Sequence, residues 1–183
     1  MDISLRNTVK KQLLWVSLVS ISMFFASLLS AFIVEKADVL NWNEFILPNY
    51  FVLSTVVIVY SSLLLLFIKQ ELRKKESFSL VLIVLILGIL FLYFQIKGWQ
   101  QLTNQGIYLT GDGSNKSGSF LYVLTVAHLL HLIGGLIALF SNTIKSKRNL
   151  YSIDNYSGLE LTSIYWHFLT VLWIILFCFL KFL

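Results

Sequence analysis

The stretch Phe120–Gly135, FLYVLTVAHLLHLIGG, places two imidazoles, His128 and His131, in a run without a single Asp, Glu, Lys or Arg. That uncharged run extends from Ser117 to Ile144, longer than the roughly 20 residues a helix needs to cross a bilayer core. The remaining histidine, His167, lies in a similar run, within the sequence IYWHF. Ionisable groups at such a depth are costly and turn towards protein or a polar cavity. Either these imidazoles hold a cofactor or they hold helices together.

Working outward, the same absence of charge recurs from Gln12 to Val34, Phe45 to Ile68, Ser77 to Ile96 and Leu161 to Leu180. Five uncharged runs predict an all-α, polytopic membrane protein, a bundle of five transmembrane helices over about 12–34, 50–68, 78–97, 118–144 and 161–181 in one membrane domain. The composition agrees: 57% of the 183 residues are hydrophobic and 13% charged, with mean hydropathy +0.80, where soluble domains carry about 25% charge. The first apolar run exceeds the 7–15 residues typical of a signal-peptide core and has no small-x-small exit, so it is expected to remain as the first span.

The net charge of +5 reads as membrane topology and not as a nucleic-acid surface. Arg6, Lys10, Lys11, Lys69, Arg73, Lys74, Lys75, Lys145, Lys147 and Arg148 fall on one side of the predicted spans, against Lys36, Lys97, Lys116 and Lys181 on the other. The positive-inside rule then puts the N-terminus in the cytoplasm and the C-terminus outside. Cys178 is the sole cysteine, which excludes an intrachain disulfide and a thiolate cluster. The glycines Gly111, Gly113 and Gly118 follow a membrane helix, with no Gly-Lys-Ser/Thr after them, so they read as a loop and not as a phosphate cradle.

Several smaller signals concern packing. Ser20, Ser27 and Ala31 recur at helical spacing in the first span, a stripe that would let another helix approach. Trp42 suits a membrane interface and Pro48 a helix entry. Ser54, Thr55, Ser61 and Ser62 punctuate the second span with hydroxyls that can bond their own helix or a neighbour, and Gly88 marks a close contact in the third.

In the fourth span Thr125, His128, His131 and Gly135 share an arc of about 120° on a 3.6-residue helix. In the fifth, Glu160, Ser163, His167 and Thr170 form a second polar stripe. Two such stripes predict an interhelical hydrogen-bond seam between these helices. The competing reading is a small haem- or metal-binding membrane enzyme using His128, His131 and His167, since imidazole ligates both. Haem ligation by a pair of histidines needs opposite sides of a plane, whereas His128 and His131 project from one side of one helix. Ser163 and His167 lie on one helix with no third group to orient them, so no catalytic centre is expected in this chain.

The residues Thr125-x2-His128-x2-His131-x3-Gly135 and Glu160-x4-Tyr165-Trp166-His167-Phe168-x4-Trp173, taken in order, resemble subunit III of the haem-copper oxygen reductases, the cytochrome c oxidase and quinol oxidase superfamily. Pro48, Ser61, Ser62, Gly88 and Gln95 fall where that family places similar residues. The resemblance covers all five spans and implies the five-helix bacterial form, in the cytoplasmic membrane. It implies a subunit of a proton-translocating oxidase with no cofactor of its own, haem and copper belonging to subunits I and II. It further implies a main contact with subunit I, contacts with subunit II and a small subunit IV, membership of a respiratory supercomplex, bound phospholipid, and support for assembly and proton uptake. The chain departs from the family where Ile21 stands in place of a carboxylate in the first retained helix, where Thr170 replaces an Asp, and where Leu129 replaces a Gly between the histidines.

Overall fold

The computed structural model describes residues 3–37, 47–68, 70, 77–111, 116–148, 151 and 156–182. Trp42, Lys69, Arg73, Lys74, Lys75 and Gly113 lie outside the described residues. Five helices account for nearly all of what is described: α1 (Ile3–Lys36), α2 (Asn49–Leu65), α3 (Ser77–Asn104), α4 (Lys116–Lys147) and α5 (Ser157–Phe182). Four are long and apolar enough to cross a membrane. The fifth, α2, has 17 residues, about 25 Å of helix, and begins directly after Pro48, whose carbonyl accepts the Phe51 N–H at 3.1 Å.

The helices alternate in direction, and side-chain contacts show it. Ser77, at the start of α3, bonds Ser146 at the end of α4 at 2.7 Å. Trp173 and Trp166 of α5 bond Thr55 and Ser61 of α2, so α5 and α2 run antiparallel. Lys11 meets Glu160 at 3.2 Å, placing the starts of α1 and α5 at the same end, and Glu35 pairs with Lys116 at the other. α2, α3, α4 and α5 close a ring in which each packs on the next, and α1 lies outside against α4 and α5.

α1 attaches through large side chains. Leu18, Phe25 and Phe32 recur every seven residues and are its buried positions, flanked by Ile21, Leu28 and Leu29. Ser20, Ser27 and Ala31 point outward, and the two hydroxyls bond back to Val16 and Phe24 of their own helix. The small-residue stripe is therefore not the face α1 uses within the chain. Serine and alanine signal where a close approach is permitted, whereas ring burial decided which face turned in.

α3 runs eight residues beyond the uncharged run and stops for a local reason. Gly106 adopts φ 78°, and the Ile107 N–H bonds Leu102 O at 3.0 Å while the Gly106 N–H bonds Thr103 O at 3.1 Å. This is a left-handed C-terminal cap with both orphan carbonyls satisfied. Its apolar follower, Ile107, rests on Gly118, where an added Cβ would stand 2.5 Å from the Ile107 methyl. The Tyr122 hydroxyl then bonds Ile107 O at 3.1 Å, fixing the turn onto the start of α4.

Candidate functional site

Of the polar side chains singled out in α4 and α5, Thr125, His128, Ser163 and Thr170 are buried and His131, Glu160 and His167 partly so, yet most of their partners lie elsewhere. Thr125 donates to Leu121 O at 2.8 Å and accepts the Trp99 indole N–H of α3 at 3.1 Å. His167 lies between two hydroxyls, Ser62 of α2 at 2.5 Å from Nδ1 and Ser163 at 3.2 Å from Nε2. Glu160 pairs with Lys11 of α1, and Thr170 donates to Trp166 O of its own helix at 3.0 Å. His131 bonds Ala127 O through Nδ1 at 2.7 Å, and its backbone carbonyl accepts the Tyr165 hydroxyl at 3.0 Å.

His128 is the exception. It is 0% exposed, and neither ring nitrogen has a hydrogen-bond partner among the described residues. Its ring sits 5.1 Å from Trp173, 6.1 Å from Phe91 and 6.4 Å from Phe25, centroid to centroid. Phe25 also lies against His131 at 5.6 Å. An imidazole so enclosed behaves as an aromatic packing element, and its nitrogens lose what water or a partner would supply. His128→Phe is accordingly expected to leave thermal stability in detergent within about 1 kcal/mol of the parent, because ring contacts persist and no hydrogen bond is lost. A drop of several kcal/mol would show instead that His128 holds a polar partner.

Among the described residues no histidine ring of α4 or α5 hydrogen-bonds a side chain of the other helix. Polar bonds that do join those helices include Tyr165 to His131 O at 3.0 Å, and Asn142 to Thr162 Oγ1 at 2.7 Å with Gly158 O at 3.4 Å. Asn142 also accepts the Tyr151 hydroxyl at 2.7 Å, and burial raises the pKa of that phenol above its ordinary range, keeping it a donor. Asn142, Thr162 and Tyr151 were missed in the sequence. The signal was a lone amide near the end of an apolar run.

The hydroxyls of α2 organise the site. Ser54 accepts from Gln95 Nε2 at 3.0 Å, Thr55 from Trp173 Nε1 at 2.9 Å, and Ser61 from Trp166 Nε1 at 3.0 Å, while Ser62 meets His167. These four positions fall on one side of the helix. They let a short, apolar α2 receive ring and amide N–H groups from α3 and α5 that would otherwise be unpaired in a medium without water. The motif residues fit around this spine: Trp166 lies against Gly135 at 3.3 Å from the position of an added Cβ, and Phe168 lines a groove with Phe25 of α1.

Among the described residues no three His, Cys, Asp or Glu side chains are grouped so as to hold a metal. The imidazoles point to different neighbours: His167 to two serines, His131 to its own backbone, His128 to three rings. The family described as cytochrome c oxidase subunit III matches residues 7–183.

The chain belongs to that family.

Relatives of subunit III type cover most of the sequence. The chain is 32% identical over 173 residues to the probable cytochrome c oxidase subunit 3 of Nocardia farcinica, covering 90% of this chain and 82% of that protein. It is 26% identical over 172 residues to the cytochrome bo(3) ubiquinol oxidase subunit 3 of Buchnera aphidicola, covering 91% and 82%. It is 28% identical over 171 residues to the cytochrome c oxidase subunit 3 of Synechocystis, covering 87% and 70%. The chain is thus subunit III of a cytochrome c or quinol terminal oxidase, one component of a multi-subunit complex, and a multi-pass protein of the bacterial cytoplasmic membrane.

Proposed function

We propose that this subunit III is non-catalytic and serves a cytochrome c oxidase, supporting assembly, lipid organisation and proton uptake for oxygen reduction and proton pumping carried out by its partners. Haem and copper reside in subunits I and II. Subunit I is the main contact, with subunit II and a small subunit IV beside it, in a respiratory supercomplex. The observation that carries the reading is that the three imidazoles do not converge: His167 lies between two serine hydroxyls, His131 bonds its own backbone through Nδ1, and His128 is enclosed by rings.

Two further features support it. The end of the bundle formed by the starts of α1, α3 and α5 and the end of α4 carries Arg6, Lys10, Lys11, Lys145, Lys147 and Arg148, and we assign it to the cytoplasm. An apolar groove of about 230 Å³ between α1 and α5, lined by Ser22, Phe25, Leu29, Phe168 and Leu172, suits a phospholipid acyl chain. Affinity purification of the tagged chain from its native membranes in mild detergent, with subunits identified by mass, is expected to bring down a haem-copper subunit that oxidises reduced cytochrome c. Recovery of the chain without such a subunit contradicts the reading, and a complex that oxidises quinol alone contradicts the choice of donor.

A further inference from the structure

A crevice of about 300 Å³ opens between the end of α2 and the first turns of α5. Leu65, Leu66 and Ile164 form apolar walls, and Glu160, Ser163 and His167 line it from the mouth inward along α5. A second recess, shared at Glu160 and lined also by Lys11 and Asn7, meets it at the mouth. Glu160, in the first turn of α5, is 41% exposed and ion-paired with Lys11, which places the mouth at the charged end of the bundle. His167, two turns deeper, is half-buried between the two serine hydroxyls.

We propose that this crevice is a proton-binding site, with His167 as the acceptor and Ser62 and Ser163 as the groups that let it hold either charge state. A neutral imidazole needs one donor and one acceptor, and an imidazolium needs two acceptors. A hydroxyl serves in either role by rotating. With a serine on each nitrogen, neutral His167 accepts from one and donates to the other. On taking a proton from the mouth it donates from both Nδ1 and Nε2, and the hydroxyl that had donated turns its hydrogen elsewhere. No bond to a heavy atom forms or breaks, and the proton leaves by the way it entered. His128 is the internal contrast, with no partner on either nitrogen and no charge state that its surroundings could satisfy.

The groups facing the site are consistent with reversible charging. Glu160 and Tyr156 flank it from the α5 side, α1 contributes Lys11, which is paired with Glu160, and α2 contributes Ser62. The geometry stands on the chain itself, and the proposed proton-uptake role enters only as the use an oxidase would make of it.

The test is 15N NMR of the full chain, labelled at its three histidines, in lipid nanodiscs from about pH 5 to pH 8, the window in which imidazole titrates. One ring is expected to pass from the split neutral pattern to the paired imidazolium pattern as pH falls. H167Q is expected to remove that signal, and H131Q assigns it by elimination if H167Q does not fold. S62A/S163A is expected to hold the ring neutral across the range. A His167 that stays neutral throughout in the parent chain overturns the proposal, as does an unchanged titration in S62A/S163A. Neither result touches the subunit assignment, which is read by co-purification.

Discussion

Trp166→Ala is expected to destabilise the bundle by about 3–5 kcal/mol, the range for deleting a large enclosed aromatic ring, and to abolish accumulation of the chain in the membrane. Trp166 is 0% exposed and occupies the centre of the ring of helices. Its indole N–H bonds Ser61 of α2, its far edge approaches Gly88 of α3, and its face rests on Gly135 of α4. One side chain therefore joins four helices, and its loss leaves a cavity that lipid cannot enter. Trp166→Phe separates the contributions, because most of the ring remains and Ser61 loses only its donor. Its cost is expected near 1–3 kcal/mol, read by thermal unfolding in detergent.

The second large effect is at Gly88. A Cβ there would lie 2.7 Å from Leu136 Cδ2 and 2.8 Å from Trp166 Cη2. Leu136 is the end of a flexible side chain and can rotate away, but Trp166 is fixed by its bond to Ser61 and by Gly135. Gly88→Ala is thus expected to cost about 1–3 kcal/mol through overpacking, and Gly88→Val considerably more. Because the obstacle is the indole, Gly88→Ala combined with Trp166→Phe should cost less than the two changes added separately, a coupling a double-mutant cycle reads directly. Strict additivity would show that the clash lies elsewhere.

How far the sequence foretold this arrangement depends on which physical signal each feature left in it. Five helices were legible because a bilayer excludes charge, and the gaps between charged residues mark its thickness. Gly88 was legible because glycine within an apolar helix has few uses other than close approach. The partners of the polar residues were not legible. Thr125, His128 and His131 do share a face, but the rotation of α4 against α3 and α5 is set by the fit of Phe91, Trp166 and Trp173, and periodicity within one helix says nothing about that. Thr125 consequently meets Trp99, and His128 meets rings.

The same limit explains α1 and α2. The serines of α1 promised a close contact, yet the buried face is Leu18, Phe25 and Phe32, since three large rings and chains fill the groove between α4 and α5 better than hydroxyls satisfied within their own helix. The hydroxyls of α2 looked almost incidental in sequence. They became the acceptors for Trp166, Trp173 and Gln95 because α2 is packed between α3 and α5, the helices that bear those donors. Trp166 and Trp173 were visible only as positions of a family motif, and the structure gives the motif a physical content: two indole donors aimed at one helix.

Several of the polar residues within the bundle, Ser54, Thr55, Ser61 and Asn142 among them, tie one helix to another, and on the proposed reading redox chemistry is left to the partner subunits. The most direct test is the absorption spectrum and metal content of the purified chain, separated from its partners in detergent and kept folded. No Soret band and no stoichiometric iron, copper or zinc are expected, while the assembled complex shows haem. A stoichiometric haem or metal on the chain alone, lost in the His128→Ala, His131→Ala or His167→Ala variants, would contradict the account.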